Sequence, residues 1–303
     1  MVNNIEIDQK LVVACGKSCP DLDEIKELVV AGADTNQLNS YGDNIFDDVF
    51  LDVLYHFRRR PEQLPQTVQK IKETIALLVK CGWDVKRFGL STMDQFKFST
   101  YDPFTFELYR FMLQYDLAND PQDYEDVLDG VGGEESYQRC CENDHDLENL
   151  FYAIYELIEA KKEGKDFTSI EPYYGAVGLT VDKVLYFGEI NTLVNTANGT
   201  EYSADIGFVC GDKLLILRES INILFMNDRF AENPQNDISD MFGNVRGKSI
   251  KEISFDHKDV VRETTNYGQP TIIITLDNGN QIKFTHNFGD LADEGYQSRF
   301  WME

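Results

Sequence analysis

The sequence predicts an α+β protein in two parts: a helical repeat domain over residues 1–180 and a mainly antiparallel β domain over residues 181–303. Three observations carry that prediction. The chain has 303 residues, which domains of roughly 100–200 residues would divide into about two. Apolar side chains recur at three and four positions up to about residue 180, and at every second position after it. The charge divides at nearly the same place. Up to residue 182 there are 35 acidic and 17 basic residues; after it there are 18 and 11.

The whole chain carries 53 acidic and 28 basic residues, a formal net charge of −25. Hydrophobic residues make up 42%, with 20 Phe and 15 Tyr, which is enough to fill one or two cores despite the charge. A field of that sign argues against direct binding to DNA, RNA or an anionic membrane, whose phosphates need a positive surface. No apolar run approaches the roughly 20 residues that span a bilayer. The start, MVNNIEIDQK, lacks the basic-then-apolar order of a signal peptide. A cytoplasmic protein is expected.

The helical part opens with its clearest element. Asp23 to Val30 places Ile25, Leu28 and Val29 on one face with charges opposite. Asp21 is placed to cap this helix, with Glu24 three residues on. Gly32, in Ala31-Gly32-Ala33-Asp34, fits the position after a helix end where the backbone turns left-handed and glycine is tolerated best. Leu11–Cys15, then Asp23–Asn36, then Tyr41–Phe46, together resemble the ankyrin repeat. That pattern has a first helix ending in small residues, a second helix, a GADxN-like turn, and a Gly-Thr-Pro-Leu-like start to the next repeat. Here Asp43-Asn44 stands where the family has Thr-Pro, so the next first helix is expected to lose its usual beginning.

A second copy reads Ile75–Val85. Gly82 lies 50 positions after Gly32, against a family period of about 33. The excess falls around Arg58–Pro65, which reads as a loop insertion or an extended first helix. Helix-like runs at Phe106–Leu113 and Leu150–Ile158 follow at 34 positions (Leu77 to Phe111) and 46 positions (Phe111 to Leu157). Gly32 and Gly82 should therefore occupy equivalent turns. The resemblance implies binding of another protein through the concave face and the turn tips of the stack.

Between the last two runs lies an acidic segment, 114–148, with twelve acids and only Arg139 opposing them. Its candidate partner-binding residues are Asp120, Asp123, Glu125, Asp126, Asp129, Glu134, Glu135, Asp144 and Asp146. They read either as a solvated connection or as a docking surface for a basic partner, since complementary charge speeds association. A calcium loop fits less well, because Asp123, Glu125 and Val127 break the alternation of oxygen ligands.

In the β part, strands are expected near 183–190, 203–209, 213–218, 221–226, 250–256, 259–266, 271–277 and 280–286. Cys210-Gly211-Asp212 marks a tight turn. Asp277-Asn278-Gly279-Asn280 marks a hairpin, with Asn-Gly suited to a type I′ turn. Residues 227–247 read as a long connection with one helical turn at Ile238–Gly243, and Phe300-Trp301 is expected to pack back on this domain.

Signals for chemistry are sparse. Cys15 and Cys19 have no second pair at ligand spacing, and adjacent Cys140-Cys141 suits a tetrahedral zinc poorly. His56, His145, His257 and His286 form no H-x3-H or H-E-x-x-H pattern. His286, near Asp290 and Asp293, is the most site-like histidine, yet no nucleophile motif accompanies it. Gly130–Gly133 lacks the strand and lysine of a phosphate loop. The expectation is a non-enzymatic protein-binding module without catalytic residues, metal or cofactor. Its alternatives are an immunity or inhibitor protein against a basic toxin such as a nuclease, and an enzyme centred on the β domain.

Overall fold

A computed structural model describes residues 5–17, 19–60, 62–96, 103–132, 145–197, 199–217, 223–227, 235–256, 271–287 and 297–302. The chain divides into a helical unit, Met1–Thr168, and a β unit, Ser169–Glu303.

The described helices of the first unit are α1 (Ile5–Cys15), α2 (Leu22–Val30), α3 (Ile45–Arg58), α4 (Leu64–Lys80), α5 (Val85–Phe96), α6 (Pro103–Met112), α7 (Asp123–Gly132) and α8 (His145–Lys162). Short polar side chains start three of them by taking up otherwise unpaired N–H groups. The Asp21 carboxylate accepts from the Asp23 and Glu24 N–H groups at 3.0 and 3.4 Å. Asp84 accepts from the Arg87 N–H at 3.2 Å. Asn44 accepts from the Phe46 N–H at 3.0 Å. The Asp43-Asn44 departure therefore does not cost α3 its start, because the Asn44 amide caps it instead. The long spacing between the first two glycines is taken up by α3 and α4, which have 14 and 17 residues.

The ends of α2 and α4 are alike. Gly32 and Gly82 have φ of 103° and 100°. Around Gly32, the glycine N–H bonds to the Val29 carbonyl, and the Ala33 N–H reaches back to Leu28. Around Gly82, the corresponding bonds run from Gly82 to Val79 and from Trp83 to Leu78. This is the Schellman pattern, and it needs a left-handed residue at the glycine. The end of α8 repeats it with Gly164 to Lys161 and Lys165 to Ala160. Asn36 ties the first two turns together. Its amide donates to the Gly82 carbonyl at 3.0 Å, and its side-chain oxygen accepts from the Asp84 N–H at 2.7 Å.

The helices pack as hairpins: α1 on α2, α3 on α4, α5 on α6, α7 on α8. Neighbouring hairpins meet like to like, α1–α3–α5–α7 along one layer and α2–α4–α6–α8 along the other. The interior is mainly apolar, with Leu11, Ile25, Phe46, Leu54, Ile75, Leu78, Phe96, Tyr109, Ile154 and Leu157 fully buried.

The β unit contains β1 (Lys183–Tyr186), β2 (Val194–Thr196), β3 (Gly199–Tyr202), β4 (Ile206–Cys210), β5 (Lys213–Leu217), β6 (Ile223–Asn227), β7 (Asn236–Asp237), β8 (Ile250–Asp256), β9 (Thr271–Leu276), β10 (Gln281–Asn287) and β11 (Gln297–Met302). They form a five-stranded sheet, β6-β5-β4-β1-β7, and a six-stranded sheet, β2-β3-β11-β10-β9-β8. Every described pairing is antiparallel. Alternate residues of both sheets enter one core: Val184, Tyr186, Ile206, Phe208, Leu215 and Leu217 from the first, Ile250, Ile272, Ile274, Ile282, Phe284 and Phe300 from the second. Its centre is aromatic, with the Phe242 and Phe300 rings stacked at 4.5 Å and Phe208 edge-on to Phe284 at 6.1 Å.

The chain thus has the predicted α+β order of helices followed by antiparallel sheets. Several details differ. Tyr173 and Ala176, on the helical side of the 180/181 boundary by sequence, lie in the β core, and the units meet in sequence at Thr168–Ser169. The first expected strand stops at Tyr186, and two residues on, Gly188 sits where a Cβ would collide with Ala204 and the Tyr186 ring. Strands β2, β3, β7 and β11 lie outside every expected run, and the run 259–266 lies outside the described residues. Phe300 does reach the core, but as part of β11, inserted between β3 and β10.

The Asn278-Gly279 hairpin also differs in type. Leu276 and Asn280 bond directly, leaving a three-residue loop, and the Gly279 N–H bonds to the Leu276 carbonyl. Gly279, at φ 87°, is the left-handed residue after a type I turn rather than the second residue of a type I′ turn.

Candidate functional site

The first-helix layer of the helical unit carries a groove of about 570 Å3 between α1 and α3. Its apolar lining comes from Val12 and Val13 of α1 and from Val49, Val53 and Phe57 of α3. Val13 is 66% exposed. Asp52, His56 and Arg60 form its polar edge. Their spacing of four places them one above another along α3 and its end. Exposed Asp48 extends the row by one turn toward the helix start. The edge thus runs from carboxylates at the start of α3 to His56 and the Arg60 guanidinium at its end, the order that favours the helix dipole. The Arg60 guanidinium lies over the Phe57 ring at 5.8 Å, and the His56 ring meets the same ring edge-on at 5.0 Å.

A hydrogen-bonded turn leads into α3 at the carboxylate end. Leu38 and Asn44 form a β-bridge, and the Ile45 N–H bonds to the Gln37 carbonyl. The Asn39 side-chain oxygen accepts from the Tyr41 and Asp43 N–H groups at 2.8 and 3.0 Å. Its amide donates to Asp48 at 3.3 Å. Gly42, at φ 93°, closes the turn. Tyr41 sits at the tip, 89% exposed. On α3, Tyr55 is 63% exposed; its hydroxyl accepts from Arg59 at 2.9 Å.

Below this surface lies Asp47, only 3% exposed. It accepts hydrogen bonds from the Ser91 hydroxyl at 2.9 Å and from the Thr92 hydroxyl. Burial pushes its carboxyl up to about 6; the two hydroxyls hold it down, and the charges of Asp48 and Asp43 raise it further. Burial likewise pushes the Cys15 thiol up to about 12, and burial with the Asp182 charge does the same for Cys210. None of these three lines the groove.

The acidic segment uses several of its carboxylates internally. Asp123 accepts from the Asn119 and Asp120 N–H groups at 3.1 and 3.0 Å, and Asp120 accepts from the Gln122 N–H at 2.9 Å. Glu125 pairs with Lys162 of α8. Neighbouring Asp116 pairs with Lys86 at 2.8 Å, which holds its carboxyl below the usual range. Asp126 is exposed. Asp129 and Asp146 fall within α7 and α8, and their side chains lie outside the described residues, as do Glu134, Glu135 and Asp144 altogether. Asp120 and Asp123 therefore hold the turn into α7, and Glu125 joins α7 to α8.

His286 lies inside β10, opposite Ser298 of β11. His257 and the Cys140-Cys141 pair lie outside the described residues. Among the described residues no group of three or more His, Cys, Asp or Glu could hold a metal ion, and no helix is long and apolar enough to cross a membrane.

The groove was not legible in the sequence, whereas the Tyr41 turn falls in the Tyr41–Phe46 run that resembles the start of an ankyrin repeat. The groove's signal was present as Asp48, Asp52, His56 and Arg60 at intervals of four. It was hidden because that row reads equally well as an ordinary solvated helix face. Comparison with protein-family models, with curated proteins and with solved structures gives no match for the chain.

Proposed function

We propose that the helical unit is a degenerate ankyrin-like stack that binds another protein through the α1–α3 groove and the Tyr41 turn. The observation that carries this reading is an outward apolar surface built on pre-ordered parts. Val13 and Tyr41 are exposed, yet both stand on backbone already fixed by α1 and by the Asn39 bonds. Aromatic anchors on ordered backbone lose little entropy on binding. The like-to-like helix packing, the matching turns at Gly32 and Gly82, and the Asn36 tie support the ankyrin-like assignment.

The acidic segment has a second part in this reading. It supplies field rather than contact, drawing in a partner with a basic surface while Asp120, Asp123 and Glu125 stay engaged within the fold. A binding role rather than catalysis is favoured because the carboxyl and thiols with raised values are buried away from the groove. A cytoplasmic location fits the free thiols of Cys15, Cys19, Cys81 and Cys210.

The test is a selection from a displayed library of fragments of the host's own proteins against the full chain. Selected fragments should bind the wild type, lose binding to Val13→Glu and Tyr41→Ala, and keep binding to Asp126→Asn. Their association should slow as salt rises to about 0.15 M. Fragments that bind all four proteins alike, or no selected fragment at all, would remove the reading. Dependence on Asp126 alone would move the contact to the acidic segment.

A further inference from the structure

Resting on the groove as the contact surface, we propose its occupant: an amphipathic α-helix of the partner, about three turns long. It runs antiparallel to α3, with acidic side chains in its first turn and basic ones in its last.

The walls decide helix over strand. Both are α-helices, whose backbone N–H and C=O groups bond within themselves except at the ends. An extended segment laid between them would leave its own backbone groups without partners from the wall. A helix brings its backbone bonds with it and needs only an apolar stripe, which Val12, Val49, Val53 and Phe57 match.

The length follows from α3. Val49 to Arg60 spans twelve residues, which at 1.5 Å each is roughly 17 Å, or about three turns.

The charge order sets the direction. Asp48 and Asp52 stand at one end of the groove edge, His56 and Arg60 at the other. Two partner helices could complement them. One has basic residues first and acidic residues last, and lies parallel to α3. The other has acidic residues first and basic residues last, and lies antiparallel. The first opposes its own dipole, and it also aligns that dipole with the dipole of α3. The second satisfies both. Arg60, held over the Phe57 ring, is placed to meet the acidic first turn at the edge of the groove.

The experiment uses the full chain and stapled, fluorescein-labelled peptides of three turns with leucines at i, i+3, i+4 and i+7. One peptide has Glu in its first turn and Lys in its last; two controls carry only Lys or only Glu at both ends. At about 0.15 M salt, where the general acidity of the chain is screened beyond about 8 Å, the Glu-first peptide should bind. Both controls should bind roughly tenfold more weakly or worse. A photo-crosslinker at its first residue should label the chain near Arg60, and one at its last residue near Asp48. In the double variant Asp52→Lys, Arg60→Glu the two crosslinks should change places.

An all-Lys peptide that binds as tightly would overturn the proposal. So would crosslinks in the opposite order, crosslinks unmoved by the double variant, or no binding by the Glu-first peptide. The fragment selection separates the two levels. If selected fragments still depend on Val13 while these peptides fail, the groove is a contact surface for another shape of partner. If they do not depend on Val13, the groove itself falls.

Discussion

The two units reach stability by different routes. The helical unit, with 33 acidic against 17 basic residues, is built from hairpins that are neighbours in sequence and meet like to like. The β unit gathers strands from far apart. β3 pairs with β11, and Glu201 holds Arg299 across 98 residues at 3.0 Å. Its main core joins both sheets around an aromatic centre, beside a smaller cluster of Leu185, Val209, Leu214 and Ile216. A stack spreads stability over successive interfaces, so its outer layer is free to carry exposed valine, tyrosine and charge. A sandwich concentrates stability in one place, and single residues there matter more.

The largest effect should come from that concentration. Phe284 is fully buried and touches the Tyr202, Phe208, Phe242 and Phe300 rings. Phe284→Ala should cost about 3–5 kcal/mol. Native-state hydrogen exchange would locate the loss in the strands of both sheets of the β unit, with the α1–α8 amides keeping their protection. Equal loss in both units would break the distinction drawn between them.

A smaller effect tests how the helical unit handles its acidity. Asp47 has an ordinary value of 3.8 and is pushed up to about 6 by burial. Its carboxyl therefore holds a proton more tightly in the folded chain. The stabilisation from this group is complete below pH 3.8 and is lost as pH rises through about 6. The gap corresponds to at most about 3 kcal/mol. Urea midpoints at pH 4 and pH 8 should show wild type losing stability relative to Asp47→Asn as pH rises. A difference between the two proteins that stays constant with pH would mean the charge is not desolvated in the fold.

The ties between hairpins come next. Asn36→Ala removes both bonds to the second turn, a loss of about 1–2 kcal/mol, and the Asp84 amide should exchange faster. Gly32→Ala and Gly82→Ala meet open space at position 82 and strain at both, from φ near 100°. Each should cost about 1 kcal/mol. Markedly unequal costs would argue against equivalent turns.

What could be read in advance differs between the units for a physical reason. Asp21, Gly32 and Gly82 were legible because a cap and a Schellman turn are set by side chains within a few residues. β10 and its loop region were legible as alternation around Asn278-Gly279. Strand β11 was not, because Gln297–Met302 is a strand only through partners in β3 and β10. Tyr173 and Ala176 read with the helices in sequence, yet they join a core made mostly of residues far along the chain. The groove was illegible for a related reason. Val12 and Val13 look like interior residues of a helix until α3 is seen beside them, and only the pair of helices makes a trough.

The smallest effect on stability should come where the structure invests least in packing. Tyr41 and Val13 are exposed at 89% and 66%, so Tyr41→Ala and Val13→Glu should shift the urea midpoint by no more than about 0.5 kcal/mol equivalent. Tyr41's turn is fixed by Asn39 and Gly42 rather than by its own ring, so the backbone at the tip should keep its amide protection in Tyr41→Ala. If either substitution destabilises the helical unit by more than about 2 kcal/mol, the side chain is part of the fold's own packing and is not held out for a partner. Near-neutral stability joined to lost fragment binding is the result that separates a surface kept for recognition from one that is merely apolar, since a residue cannot be spared by the fold and still be needed unless something else contacts it.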